Sequence, residues 1–309
     1  MAIVETLRVP FRNWHTWVRI TRPEQPVTGA LPLFVLHGGP GMAHNYIRNL
    51  EELSAAGRVA IHYDQLGCGN STHLPEAPED FWTPELFVEE FENLVSFLEI
   101  GEYHVLGQSW GGMLAAEIAV RQPGGLRSIA ICNSPASMRL WSSAAQRLRA
   151  GLPAGVASAL DRHEAAGTLT DPEYLAASDV FYSRHVCRTA QTPPDFAESV
   201  AQMEAEPTVY HTMNGPNEFY VVGTLQDWTI EDRLQQIAVP ALVAAGEFDE
   251  AAPETWAPYA ERIPDVLVHV FSGGSHCVHL EQPEEFREVI SSFLARHEAT
   301  SLPAESTMP

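Results

Sequence analysis

Basic side chains are scarce in this sequence of 309 residues. Lysine and arginine together number 18, against 40 aspartates and glutamates, and the formal net charge is −22. Because nucleic acids and anionic membranes attract positively charged proteins, this balance argues against both as partners. It leaves cationic small molecules as candidate ligands, although most of the carboxylates are expected on the solvated surface.

Cysteines and long apolar segments are also few. The four cysteines are far apart and form no CxxC pair, which indicates reduced thiols rather than a disulfide frame or a zinc site. The opening MAIVETLRVP lacks the pattern of a secretion signal, and apolar stretches such as IAVPALVAAG are too short to span a bilayer. We therefore expect a cytoplasmic protein that uses no metal or other cofactor.

Short apolar segments that end in Gly, Asn, Ser or Asp recur along most of the chain and predict buried parallel strands. They alternate with helical patterns, one of which begins at Thr83 with Pro84 in its first turn. An earlier segment, TWVRITR, predicts an antiparallel strand at the sheet edge. This alternation predicts an α/β fold. The six parallel candidates are LPLFVLHGGPG, VAIHYDQLGCG, YHVLGQSWGG, LRSIAICNSP, PALVAAGEFDE and VLVHVFSGGSH.

The alternation stops between about residues 137 and 232, where helix-like segments such as DPEYLAASDVFYSRHV replace it. In α/β folds, ligands bind outside the carboxyl ends of the strands. We therefore interpret 137–232 as a helical cap inserted over that edge, with the core formed by 1–136 and 233–300. The last residues, 301–309, predict a flexible tail.

The strongest chemical signal is GQSWG, residues 107–111, a G-x-S-x-G motif between a predicted strand and a helix of small residues. This is the context of a nucleophile elbow. Gly107 and Gly111 suit it, because side chains there would clash with neighbouring backbone. The motif predicts Ser109 as a nucleophile at the top of the sheet.

A serine nucleophile needs a base and an orienting acid, which follow it along the chain in this fold. GEFDE supplies Asp249 or Glu247, and Asp249 is the better candidate because it lies further into the loop beyond its strand. His276 is the first histidine after the last strand and follows two glycines, so it is the predicted base. Its neighbours in SGGSHCVHL, Cys277 and His279, are predicted to be a packing thiol and a bystander, since no further ligand cluster supports a metal site.

HGGPG, residues 37–41, follows the third strand. Enzymes with a nucleophile elbow in an α/β fold have their oxyanion loop at this position. A tetrahedral intermediate needs N–H donors aimed at its developing negative oxygen. The backbone N–H groups of Gly39 and Trp110 are the candidates, with Gly38 as the alternative to Gly39.

Together these motifs resemble the prolyl iminopeptidase family over almost the whole chain. The likeness includes HGGPG, DQLGCGNS (64–71), GQSWGG (107–112), MNGPNEF (213–219), GEFDE (246–250) and GSH (274–276). The Trp after the serine, DQLGCGNS and MNGPNEF are much more specific than the elbow alone. The resemblance implies an α/β-hydrolase fold with a mostly parallel eight-stranded sheet. Asp64 is expected to fix the loop after the fourth strand rather than to act in catalysis.

The same resemblance implies a serine hydrolase that releases an N-terminal residue, often proline, from short peptides, or that hydrolyses L-amino acid amides. It implies that Glu218 and Glu247 hold the free α-amine of the substrate. A buried ammonium needs paired carboxylates to offset its lost hydration, which agrees with these roles. Two alternatives remain: a carboxylesterase with the same triad, and a non-catalytic receptor on a hydrolase fold.

Overall fold

The computed structural model describes residues 2–298 of the chain. Eight strands form one sheet, as the resemblance implied. Their bounds are β1 Ile3–Phe11, β2 Trp14–Arg22, β3 Leu33–Leu36, β4 Ala60–Asp64, β5 Tyr103–Gln108, β6 Leu126–Cys132, β7 Ala241–Gly246 and β8 Val266–Phe271.

The strand order is β1-β2-β4-β3-β5-β6-β7-β8, and every pair from β4 to β8 is parallel. The predicted strand TWVRITR lies in β2 and is antiparallel to both neighbours, as expected. Its predicted position at the sheet edge is wrong. A hairpin brings β1 alongside β2 over nine residue pairs, so β1 forms the edge instead.

Helices fill the intervals between the parallel strands. The predicted start of the first helix is confirmed, since the Thr83 side chain accepts a hydrogen bond from the Leu86 N–H and Pro84 occupies the first turn. The bounds are α1 Pro84–Phe97, α2 Trp110–Val120, α3 Met138–Ala150, α4 Ala154–Ala166, α5 Pro172–His185, α6 Pro194–Ala205, α7 Thr208–Met213, α8 Pro253–Arg262, α9 Val278–Glu281 and α10 Pro283–Ala295. Short 3₁₀ segments span His44–Ala56, Glu79–Phe81, Thr224–Asp227 and Glu231–Gln236.

Helices α3 to α7 occupy the stretch between β6 and β7 in which the cap was predicted. The division of the chain at residues 137 and 232 stays a prediction, and the predicted tail at 301–309 lies outside the described residues. Within residues 2–298, no helix combines the length and the apolar character needed to cross a membrane.

The sheet has an apolar cluster on each face because successive side chains of a strand point to opposite sides. In β3, Phe34 and Leu36 join the cluster built with α1 and α2, whereas Leu33 and Val35 join the cluster built with α10. The Phe34 ring lies 5.1 Å from the Phe91 ring of α1, edge to face. Both faces of the central strands are therefore covered, and their carboxyl ends remain as the place for a site.

The loop after β4 is organised by the buried Asp64 carboxylate, as predicted. Its oxygens accept hydrogen bonds from the backbone and ring of His44, at 2.8 Å each, and from the backbone and side chain of Asn70. Burial alone would raise the pKa of Asp64, but the bonds with His44 bring it below its usual value. Gly67 and Gly69 have positive φ angles of 82° and 49°, which permit the turn.

Glu90 of α1 is fully buried beneath this loop, where it accepts hydrogen bonds from the Thr16 hydroxyl and the Leu66 N–H. Burial raises the pKa of Glu90 from 4.5 to about 7. Between the pKa that an acid has in the unfolded chain and the higher pKa that it has in the folded protein, rising pH ionises the acid only in the unfolded chain. The free energy of unfolding therefore falls over this pH interval. The wild-type protein should therefore lose stability between pH 4.5 and 7 at this residue.

We predict that Glu90→Gln removes this loss, which amounts to at most about 3 kcal/mol over the whole interval. The amide keeps an acceptor for the Leu66 N–H and can donate to the Thr16 hydroxyl. The measurement is the free energy of unfolding by denaturant across that pH range. The control is Glu92→Gln, an exposed position of the same helix. Equal pH dependence in wild type and Glu90→Gln would contradict the assignment.

Candidate active site

Ser109 lies at the junction of β5 and α2 in a strained backbone conformation. Its φ angle is 57° and its ψ angle −123°, which non-glycine residues rarely adopt. A β-carbon on Gly107 would lie 1.9 Å from the Gly111 carbonyl oxygen, and one on Gly111 would lie 2.2 Å from the Leu36 carbonyl oxygen. Both glycines are thus required by close backbone approach, and the chain has the geometry of a nucleophile elbow.

His276 and Asp249 are joined by a hydrogen bond of 2.8 Å between Nδ1 and Oδ1. Asp249 also accepts bonds from the Ala251 N–H and the Asn133 side-chain amide. Burial tends to lower the pKa of His276, but Asp249, together with the charges of Glu218 and Glu281, raises that pKa above its ordinary value. His276 and Ser109 line the same cavity. The three residues predicted as a triad are therefore brought to one place.

Glu247 is not at this place, which corrects its predicted role as an amine ligand. Its side chain lies on the exposed surface, where it accepts hydrogen bonds from the Ser272 hydroxyl and the Gly273 N–H. It therefore stabilises the turn after β8. The same position also excludes it as the alternative partner of His276.

Glu250, three residues further on, occupies the position that was expected of Glu247. It is 1% exposed, and neither of its carboxylate oxygens accepts a hydrogen bond from the described residues. One oxygen lies 3.8 Å from His276 Nε2. Burial, followed by the charges of Glu218 and Asp249, raises the pKa of Glu250 well above its usual range.

Glu218 faces the same cavity from the segment after α7. Its carboxylate accepts a hydrogen bond of 2.7 Å from the Tyr210 hydroxyl, and its carbonyl accepts one of 2.7 Å from the Trp141 indole. Burial raises the pKa of Glu218, and the charge of Glu218 contributes to the raised pKa of Glu250. The site thus presents a pair of acidic groups beside His276.

The oxyanion candidates lie beside Ser109. Gly39 lines the cavity with Ser109, and Trp110 opens α2, where backbone N–H groups have no partner within the helix. The alternative donor, Gly38, is occupied: its N–H donates to the Tyr46 hydroxyl at 2.6 Å. The geometry therefore favours Gly39 and Trp110 over Gly38.

His279 and Cys277 take no part in this arrangement. His279 Nε2 bonds with the Tyr46 carbonyl at 3.1 Å, and burial lowers the pKa of His279 to about 4. Cys277 is a buried thiol in the cavity wall whose pKa is raised well above its usual value, first by its contact with Cys187 and then by burial. A buried neutral thiol is a poor nucleophile, in agreement with the predicted packing role.

One group of potential metal ligands occurs among residues 2–298, and it lies in the α4–α5 region: His163, Asp171 and Glu173. Asp171 already accepts the Glu173 N–H at the start of α5, and Glu173 pairs with Arg162 at 2.7 Å. Both carboxylates therefore already have a role in stabilising the surface around the start of α5.

Comparison with known proteins agrees with this geometry. A profile of the alpha/beta hydrolase fold matches residues 32–283. Proline iminopeptidase from Lactobacillus delbrueckii subsp. lactis is 35% identical over 289 residues, 93% of this chain and 96% of that protein. The crystal structure of proline iminopeptidase from Mycobacterium smegmatis is 66% identical, with a TM-score of 0.92 over 95% of this chain and 98% of the other. The crystal structure of VinJ is 47% identical in sequence, with a TM-score of 0.91 over 95% of this chain and 99% of the VinJ chain.

The chain belongs to the proline iminopeptidase family of α/β-hydrolases. Membership confirms the resemblance drawn from HGGPG, GQSWGG and MNGPNEF, and it confirms the fold.

Several residues that shape the site of this family member were not predicted. Asn133 follows β6 and holds Asp249, and Gln108 donates to the His276 carbonyl at 3.1 Å. Tyr210 and Trp141 bind Glu218 from α7 and α3. The sequence offered one signal among these, a polar Asn directly after a buried strand.

We predict that Glu218→Gln shifts the acid limb of activity to lower pH. His276 must be neutral to accept a proton, and the Glu218 carboxylate raises the pKa of His276. Its removal should lower that pKa, so that His276 stays neutral further into the acid range. The measurement is kcat/KM against pH for p-nitrophenyl acetate, which has no amine.

The matched control is Glu247→Gln, which removes a carboxylate from an exposed position directly after β7. It should leave the acid limb where the wild type has it. An unmoved limb in Glu218→Gln would show that this carboxylate does not act on His276.

Proposed function

We propose that this protein is a prolyl iminopeptidase-type serine hydrolase, which releases an N-terminal residue that carries a free amine. Proline iminopeptidase is the name of its Lactobacillus and Mycobacterium relatives. The proposal rests on one observation above all: Glu218 lines the cavity beside Ser109, the buried Glu250 lies 3.8 Å from His276 Nε2, and neither pairs with an arginine among the described residues.

A substrate ammonium would supply what this pair lacks. Buried carboxyl groups are costly unless they are neutralised and hydrogen-bonded, and Glu250 has no donor among the described residues. The ammonium of an N-terminal residue, or the secondary ammonium of proline, brings both the charge and the N–H donors. Anchored there, it would set the first carbonyl of the substrate beside Ser109, so that only one residue is released.

A narrow cleft beside Ser109 would receive the side chain of that residue. It is walled by Trp110, Met113, Pro135, Met138 and Trp141, and it also reaches Glu218. Its free volume is about 10 Å³, so a bound ring must move these walls apart. Methionine side chains adapt in this way, and an apolar ring suits the aromatic and methionine surface.

The reaction would proceed through an acyl-enzyme. Ser109 Oγ attacks the carbonyl carbon as its proton passes to His276 Nε2, and the resulting oxyanion is held by the N–H groups of Gly39 and Trp110. The imidazolium, stabilised by Asp249, then protonates the leaving nitrogen as the C–N bond breaks. Water repeats the sequence on the ester, which releases the amino acid and restores Ser109.

The partners of the site would be short peptides or amino acid amides. We place the enzyme in the cytoplasm, because the four cysteines are free thiols in the structure. A nucleic-acid partner is not expected of a chain with a net charge of −22.

We predict that Ser109→Ala lowers kcat on prolyl p-nitroanilide by at least about 10³-fold, because the nucleophile is lost. Glu250→Gln should lower kcat/KM on the same substrate by about 10²-fold, because the ammonium loses a buried ionic partner. On p-nitrophenyl acetate, which has no amine, Glu250→Gln should stay within about threefold of the wild type. Glu247→Gln is the matched control and should resemble the wild type on both substrates.

The remaining interpretations give different results in the same assays. A carboxylesterase would hydrolyse N-acetylprolyl and prolyl derivatives equally well, and Glu250→Gln would affect neither selectively. A non-catalytic receptor would fail to react with a fluorophosphonate probe at Ser109. Either outcome would overturn the proposed function.

A further inference from the structure

A second, larger space also adjoins Ser109, and it shares Gly39 and Glu218 with the narrow cleft. We call it the outer cavity. Its volume is about 350 Å³, within the range of small-molecule sites. Apart from the catalytic residues, its walls come mainly from α5 and α6, with apolar side chains at Leu169, Leu175, Val186, Phe196, Val200 and Met203.

The position of His276 indicates what the outer cavity receives. His276 lines the outer cavity but not the narrow cleft, whereas Trp110 lines the cleft but not the outer cavity. The imidazolium must reach the leaving nitrogen to protonate it. The leaving group therefore departs on the His276 side, into the outer cavity, and the N-terminal residue occupies the cleft.

The charges around the outer cavity limit the chemistry of this leaving group. Its described lining contains no arginine, and the whole sequence contains no lysine. Besides Glu218 and His276, the charged side chains there are Asp179 and Glu204, both exposed. A dipeptide would bring its α-carboxylate to within one residue of the scissile nitrogen, where it would meet acidic groups and no cation. Such a carboxylate would lose hydration without gaining a partner.

We propose that the preferred substrate is an N-terminal aminoacyl amide whose leaving amine is bulky, apolar and free of a carboxylate beside the scissile nitrogen. This inference rests on the proposed function and names its substrate class. Ammonia, the leaving group of a simple amino acid amide, would leave the outer cavity unused. A free dipeptide would place an unpaired negative charge in it.

The first test uses the wild-type enzyme and a series of proline N-alkylamides from methyl to hexyl, whose leaving amines have similar basicity. Each methylene buried in the outer cavity should raise kcat/KM by about two- to fourfold until the cavity is filled. The second comparison is prolyl-phenylalanine amide against prolyl-phenylalanine with its free carboxylate. The amide should be the better substrate by about tenfold or more.

Variants then connect these preferences with the outer cavity. Met203→Trp fills part of it and should lower the ratio of kcat/KM for the hexyl amide to that for the methyl amide by about tenfold. Ala197→Trp, an exposed position of α6 that does not line the cavity, is the size control. If Met203→Trp lowers the thermal unfolding temperature, Leu175→Trp is used in its place, because Leu175 is half-exposed at the rim of the outer cavity.

The charge test uses Glu204→Arg, which places a cation at the rim. It should raise activity on the free dipeptide about threefold relative to the dipeptide amide, a modest effect because the position is exposed. Glu198→Arg makes the same charge change at an exposed position of α6 outside the cavity, and it should leave the ratio unchanged.

Two kinds of failure can be told apart. If neither prolinamide nor any longer amide is hydrolysed, the proposed function is wrong. If all amides and the free dipeptide are hydrolysed at similar rates, or if Met203→Trp and Ala197→Trp behave alike, the enzyme assignment stands and the proposed role of the outer cavity is overturned.

Discussion

The arrangement of the site depends on the hydrogen bond between Asp249 and His276. The acid follows β7 and the base follows β8, so the bond forms only because these strands are neighbours and their ends nearly touch. A β-carbon on Gly246 would lie 2.5 Å from the carbonyl oxygens of Gly274 and Ser275, which shows how closely the two loops approach. With Nδ1 bound to Asp249, Nε2 is the ring nitrogen left to exchange the catalytic proton, and it lies 3.8 Å from a Glu250 oxygen.

The helices between β6 and β7 help to position the two loops that carry Asp249 and His276. The His185 carbonyl, at the end of α5, lies 3.2 Å from the Glu250 nitrogen and 3.1 Å from the His276 nitrogen, and both N–H groups donate to it. The neighbouring Val186 carbonyl accepts the Cys277 N–H at 2.8 Å. A single helix end therefore holds the acid loop and the base loop together. A displacement of α5 would remove backbone hydrogen bonds from both loops, which links the position of the inserted helices to the geometry of the base.

The limits of sequence reasoning are clearest in GEFDE. The strand and the elbow serine could be predicted, because β-branched runs and a G-x-S-x-G motif are local signals. Whether Glu247 or Glu250 faces inward is not local. Beyond β7, side chains no longer alternate between the two faces of the sheet, so their direction cannot be read from their spacing. The backbone N–H of the inward-facing Glu250 donates to the carbonyl of His185, which lies 65 positions earlier in the chain. The edge strand β1 was missed for a related reason: five of its first six residues are exposed, so it lacks the apolar pattern that marks a buried strand.

The charge balance of the site explains why a free amine suits it. Three carboxyl groups, those of Asp249, Glu218 and Glu250, share one imidazole, and burial raises the pKa values of the two glutamates. Without a ligand, burial disfavours the ionised form of both glutamates. A substrate ammonium favours their ionised forms, so its binding is coupled to proton release. A neutral ligand brings no charge that could favour the ionised forms. Selectivity for a free N-terminus then follows from the burial of the acids rather than from the shape of the cavity.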